Sequence, residues 1–227
     1  MGEATGATST RTAISGDERP FLPGMSRNWL LPLYDPLTHL LGIRRVHRRL
    51  LDQAGVRPGQ RVLEIGCGTG NLLLAAKRSQ PAATVVGVDP DLTALARASR
   101  KARRRRLAVQ LDRGYADELP YADDSVDVVL SSFMLHHVPA GRREPAMREV
   151  RRVLRPGRSL HLVDIDAGAA PADGWIARRA HRHQFPQENA DGGIPDLLRR
   201  AGFIDVNENG SDVRRHVGRF TFYRAVA

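Results

Sequence analysis

Cysteine is nearly absent. Cys67 is the one cysteine in 227 residues, so no intrachain disulfide forms and no cysteine-rich zinc site assembles; a reducing, cytoplasmic setting is the expected one. Lysine is almost as scarce: of 35 Lys and Arg residues only Lys77 and Lys101 are lysine, an imbalance that reads as arginine codon bias as much as a binding surface. Nowhere do about 18 consecutive apolar residues occur, the length a membrane helix needs. The opening stretch, MGEATGATSTRTAISGDERP, has no basic start followed by an apolar run. Neither secretion nor a membrane span is expected. What is present is ordinary globular composition, 41% hydrophobic and 26% charged, which excludes a fully disordered or collagen-like chain. The length suits one large domain.

The 35 basic residues stand against 25 acidic ones, a net +10. A basic surface attracts polyanions. Yet the densest cluster, RKARRRR at 100–106, closes an expected helix, where cations complement the helix dipole. A solvated surface is the simpler reading, and nucleic acid is not favoured as a partner.

Residues 1–24, rich in Ala, Thr, Gly and Ser, show no periodicity and read as a disordered tail. From residue 25 to 54 apolar positions recur at helical spacing, interrupted by Pro32, Pro36 and Gly42, which predicts short N-terminal helices. Alternation follows. RVLEIG (61–66), TVVGVD (84–89), AVQLDRG (108–114), VDVVLSS (126–132) and SLHLVDI (159–165) read as strands, separated by helical patterns at 71–80, 92–106 and 143–157. Such alternation predicts βαβ units and a doubly wound α/β fold with a mostly parallel sheet. Residues 166–193 break the rhythm and read as a lid over the ligand crevice; 194–203 read as a helix ended by Gly202, and 216–226 as a final strand.

The sharpest signal is VLEIGCGTG at 62–70. A buried strand runs into Gly66, Gly68 and Gly70, which permit positive φ and close backbone approach, and a helix follows with its amides facing the loop. Dinucleotide enzymes use G-x-G-x-x-G; here the pattern is G-x-G-x-G, preceded by Glu64. A carboxylate suits a cationic amino-acid group better than a pyrophosphate. With Glu64, Gly66, Gly68 and Gly70 matching (D/E)-x-G-x-G-x-G, the chain resembles the class I S-adenosyl-L-methionine (AdoMet)-dependent methyltransferases, and Tyr34-Asp35 looks similar to the Tyr-Asp pair of the ubiquinone- and menaquinone-pathway enzymes among them. Asp89 ends the next strand, where a carboxylate can accept ribose hydroxyls; the stretches 116–138 and 149–165 match later family segments.

The resemblance implies a seven-stranded sheet with an antiparallel last strand and one domain over 25–227. It implies AdoMet as cofactor, bound by Glu64, Gly66, Cys67, Gly68, Gly70, Asp89, Pro90, Tyr115, Ala116 and Ser131. Cys67 is there as a small residue that fits, without thiol chemistry. Two departures stand out: Tyr115 precedes Ala116 where relatives commonly have Asp, with Asp117 following instead, and the turn before the fifth strand reads Pro156-Gly157-Arg158 where Pro-Gly-Gly is usual. The expected reaction is in-line methyl transfer to the O, N or C atom of a small molecule, which positioning alone accelerates. Where the acceptor has a proton to lose, His136 and His137, after the fourth strand, are the candidate bases. Tyr34 in the N-terminal helices, with Trp175, His181 and Phe185 in the lid, are candidate acceptor contacts. His181 and His183 lack a third ligand at matching spacing, so no metal is expected. Alternatives are a methyltransferase acting on a polyanion such as RNA or a lipid headgroup, and a non-catalytic AdoMet-fold binding protein. The acceptor and the oligomeric state are not legible.

Overall fold

The computed structural model describes residues 9–12, 42–165, 193–214 and 218–227. Tyr34, Trp175, His181, Phe185 and the expected lid up to residue 192 lie outside these residues.

The middle of the sheet is β2 (Arg61–Ile65), β3 (Thr84–Asp89) and β5 (Val126–Ser132). Their Val, Ile and Leu side chains are buried on both faces, which is why the sequence shows near-continuous apolar runs instead of alternation. β4 (Gln110–Arg113) and β6 (Leu154–Ile165) flank them in parallel. β8 (Gly218–Val226) runs antiparallel to β6, and β7 (Ile204–Arg214) antiparallel to β8. The order is β4-β3-β2-β5-β6-β8-β7, the mostly parallel sheet with an antiparallel last strand that the resemblance implies.

Two departures have physical causes. Four residues of the segment expected to be a tail form β1 (Ser9–Thr12), a parallel strand on the outer edge of β4. The edge offers unpaired backbone groups, and threonine suits a strand. β7 is not legible as a strand. IDVNENGSDVR is polar, its ladder to β8 shifts register twice, and as an edge strand it lacks the apolar alternation that burial of one face would impose.

α1 (Ile43–Ala54), α2 (Asn71–Ser79) and α3 (Leu92–Arg104) cover one face, where Val46, Leu50, Leu73, Leu95 and Ala98 pack on Val62, Val85, Leu111 and Val128. α4 (Ala140–Val153) and α5 (Gly193–Arg200) cover the other, with Met147, Val150 and Leu198 on Leu63, Val86, Val129 and Leu160. Burying each such side chain contributes about 1.5–3 kcal/mol. α4 ends at Val153 and passes directly into β6, four residues earlier than the sequence pattern places that helix end. From β2 the chain runs outward to β3 and β4, then returns to β5, which pairs with β2 on its other side. That reversal opens a crevice at the carboxyl ends of the strands, where ligands bind in this architecture.

Candidate active site

The glycine loop after β2 and the acid after β3 meet at that crevice. Gly66, Gly68 and Gly70 all have positive φ, 63°, 50° and 77°. A Cβ on Gly66 would sit 2.1 Å from Met134 Cγ and 2.9 Å from Met134 Cβ, whereas one on Gly68 would meet nothing within 4 Å. The first glycine therefore lets the β5 loop close down on the β2 loop. The second faces open space. Cys67 is buried, and its Sγ lies 2.8 Å from where a Cβ on Gly87 would be. Burial, with Asp89 and Glu64 nearby, raises its thiol well above the ordinary range, so it packs as a small neutral group.

Asp89 organises the loop from below. Its Oδ2 accepts the Gly68 amide at 2.8 Å and its Oδ1 accepts the Asp91 amide at 2.9 Å. Each carboxylate oxygen retains a second lone-pair site, which fits it to accept sugar hydroxyls. Burial pushes this carboxyl up to about 6, against the pull of those two amides. Asp91 then caps α3, accepting from the amides of Thr93 and Ala94.

Glu64 is 4% exposed, and its Oε2 has no hydrogen-bond partner among the described residues. Burial, reinforced by Asp89, raises its carboxyl well above the usual range. The Leu73 backbone and Lys101 pull the other way without prevailing; a buried carboxylate oxygen left unpaired is costly, and a cationic ammonium group is the chemistry that satisfies it. A glycine facing open space, an acid with free lone pairs for hydroxyls and an acid awaiting a cation together fit AdoMet.

Lys101 was not legible as part of this site, because its cluster reads as the end of a helix. Its Nζ donates to Thr69 Oγ1 at 3.1 Å and Asn71 Oδ1 at 2.8 Å, tying α3 to the glycine loop. Of the remaining expected cofactor contacts, Pro90 follows β3 directly, and Tyr115 pairs its backbone with Glu118. Ala116 packs on the second core cluster, and Ser131 is fully buried beside Ile65, its Oγ unpartnered among the described residues. Asp117 forms an ion pair with Arg142 at 3.0 Å.

The two histidines lie in a 3-10 turn, Leu135–His137, after β5. Their environments differ. His136 Nδ1 is 2.5 Å from Asp164 Oδ1 at the end of β6, while Asp164 Oδ2 accepts the Leu135 amide at 2.8 Å and Oδ1 also accepts the Ile165 amide at 2.7 Å. Burial drives the Asp164 carboxyl up, but the His136 ring, the Ile165 amide and His137 outweigh it and hold the group below the usual range. An ionised Asp164 takes the Nδ1–H and leaves Nε2 with its lone pair. His137, stacked against His136 at 4.1 Å between ring centroids, is pushed down to about 3 by burial and by its neighbour. It is a poor proton acceptor. His47 of α1, lowered to about 4 by burial, approaches Ser132 Oγ at 3.2 Å and closes the same end of β5. No group of metal-ligating side chains occurs among the described residues.

Residues 62–157 match the family described as a methyltransferase domain. The chain is 35% identical over 162 residues to a demethylmenaquinone methyltransferase of Thermus thermophilus, covering 69% of this chain and 72% of that protein. It is 32% identical over 148 residues to a 2-phytyl-1,4-naphtoquinone methyltransferase of Synechococcus elongatus, covering 63% of each. The chain spans 59–63% of the length of several such curated relatives. Among solved structures, the [4+2]-cyclase SpnF superposes with a TM-score of 0.64 at 21% identity, covering 80% of this chain and 79% of that one; this likeness shows the fold alone. With the glycine loop, the acid after β3 and these relatives together, the chain belongs to the class I AdoMet-dependent methyltransferases.

Proposed function

We propose that the protein methylates a small hydroxylated aromatic acceptor of quinol type, with His136 as the general base and Asp164 as the residue that positions it. The observation that carries this reading is the His136–Asp164 pair at the carboxyl edge of β5 and β6. When bound, AdoMet supplies an electrophilic methyl carbon whose bonding electrons return to sulfur as the new bond forms. The chain's own groups do the rest. Glu64 holds the cationic end, Asp89 the sugar, and His136 Nε2 accepts the acceptor's hydroxyl proton while Asp164 stabilises the ring that becomes charged. The deprotonated ring attacks in line through oxygen, or through an adjacent ring carbon that then gives up its own proton as the ring regains aromaticity and the oxygen is reprotonated. A base is needed in either case, so the dyad serves both outcomes. The named quinone methyltransferases among the relatives support the acceptor class.

Labelled methyl transfer from AdoMet to short-chain naphthoquinols tests this. Positioned base catalysis is worth roughly 10²–10⁴ in rate, so His136→Ala should lower kcat by that range while the AdoMet Kd is unchanged. His137→Ala should cost far less. Full turnover by His136→Ala, or no transfer to any quinol by the wild-type protein, refutes the reading.

A further inference from the structure

Among the described residues, basic side chains without carboxylate partners gather on the face formed by α1, α2 and α3. α1, α2 and α3 together carry eleven Lys and Arg residues and a single acid, Asp52. That surplus equals the net +10 of the entire sequence. On the opposite face five of the seven helix arginines meet carboxylates, Arg142 with Asp117, Arg148 and Arg200 with Glu144, Arg152 with Glu149 and Asp123, Arg199 with Asp196, while Arg143 and Arg151 donate to backbone carbonyls. On α1–α3, exposed Arg45, Arg48, Arg78, Arg100, Arg103 and Arg104 have no carboxylate partner among the described residues. Helix-dipole complementarity accounts for the last turn of α3, but it reaches only the terminal turn and leaves Arg45, Arg48 and Arg100 without a role.

We propose that this face docks on an anionic phospholipid bilayer. The same helices bear an apolar feature. A cleft of about 350 Å³ along α3 is lined by Leu92, Leu95, Ala96, Ser99, Arg100 and Arg103, and Leu92 is 50% exposed. An apolar floor with guanidinium groups at one end suits an acyl chain and its phosphate. The three helices contain no Phe, Tyr or Trp, so they lack the aromatic platforms on which single-stranded nucleic acid stacks.

The placement has a consequence for the crevice. Each helix runs back from the carboxyl ends of the strands, and the His47–Ser132 contact sets the first turns of α1 beside that edge. A bilayer lying along α1–α3 therefore reaches the rim of the crevice, where an acceptor dissolved in lipid would enter. Preferring lipid to other polyanions rests on the quinol reading; the docking itself is measurable without any acceptor.

Vesicle co-sedimentation at low salt decides it. Binding is expected to vesicles of phosphatidylcholine with phosphatidylglycerol and not to phosphatidylcholine alone, and it should weaken as salt screens the charges. Each arginine at an anionic surface changes partitioning about fivefold, so Arg45→Gln/Arg100→Gln/Arg103→Gln should lower it on the order of a hundredfold. Arg142→Gln/Arg148→Gln/Arg199→Gln makes the same change in net charge on the other face and should leave vesicle binding within a few-fold of wild type. AdoMet affinity, unchanged in both, confirms folding. Equal losses in the two triple variants, binding indifferent to phosphatidylglycerol, or binding to a duplex DNA oligonucleotide but not to vesicles overturns the proposal. Vesicle binding with no methyl transfer to quinols would leave the docking face standing and remove the acceptor reading.

Discussion

Replacing Asp164 with asparagine separates positioning from bulk. The carboxylate receives four donors on two oxygens: the His136 ring at 2.5 Å and the Ile165 amide at 2.7 Å on Oδ1, the Leu135 amide at 2.8 Å and the His136 amide at 3.4 Å on Oδ2. Asparagine has the same shape but one acceptor oxygen and one NH2. If the oxygen stays with the backbone amides of the turn, the NH2 faces the His136 ring and forces Nδ1 to accept, which places the proton on Nε2 and removes the base. If the oxygen stays with the ring, the NH2 faces the Leu135 amide, donor against donor, and the turn that carries the ring opens. Both orientations lose a charge-assisted bond worth about 1.5–3 kcal/mol and leave a buried donor unsatisfied at a cost of about 1–3 kcal/mol.

The expected result is a stability loss of roughly 2.5–6 kcal/mol by those figures, read by urea unfolding, with kcat down about 10²–10⁴ and an AdoMet Kd within threefold of wild type. The pH course has a definite sign. The folded carboxyl lies below its ordinary 3.8, so its contribution is present above about pH 4 and disappears as pH falls through the folded value. The stability gap between wild type and Asp164→Asn should therefore narrow only in strongly acid solution. A variant that keeps kcat within threefold of wild type, or that loses AdoMet binding as steeply as turnover, refutes the assignment of Asp164 to His136.

Asp89 should make cofactor binding pH-dependent. With its folded carboxyl near 6 and the ionised form needed to accept sugar hydroxyls, AdoMet affinity at pH 5 should be about tenfold weaker than at pH 7, by calorimetry, and Asp89→Asn should flatten that dependence. Gly66→Ala should weaken AdoMet binding at least tenfold, because the new Cβ overlaps the Met134 side chain at 2.1 Å in a backbone conformation that alanine rarely adopts; unchanged binding would show that Met134 yields at little cost.

Those three residues differ in how visible they are from sequence alone. Glu64, the glycines and Asp89 are legible because they fall within one βαβ unit, where spacing along the chain maps directly onto spacing in the crevice. Asp164 is not. It lies 28 residues beyond His136, and the two meet only because β5 and β6 pair in parallel with Ser132 opposite Val163, a register that no local pattern announces. Lys101 is hidden for a different reason: a lysine amid arginines at a helix end already has a sufficient explanation, and its reach to Asn71 depends on how α3 packs against α2. The strand β7 is invisible because no described strand pairs with its outer edge, so selection for burial left little mark on its residues.

The direct pairing of β2 with β5 also divides the labour of the fold. Glu64, the glycine loop, Asp89 and Lys101 hang from residues 61–101, and the turn that carries His136 hangs from residues 126–165, with the two sets joined by a single short excursion through β4. Insertions or substitutions in the later half can therefore reshape the acceptor chamber without rebuilding the earlier one. Met134 leaning over Gly66 is a seam between the halves. A lineage exploring new acceptors on this scaffold would meet its first constraint there, at one thioether side chain, while the cofactor grip is inherited intact.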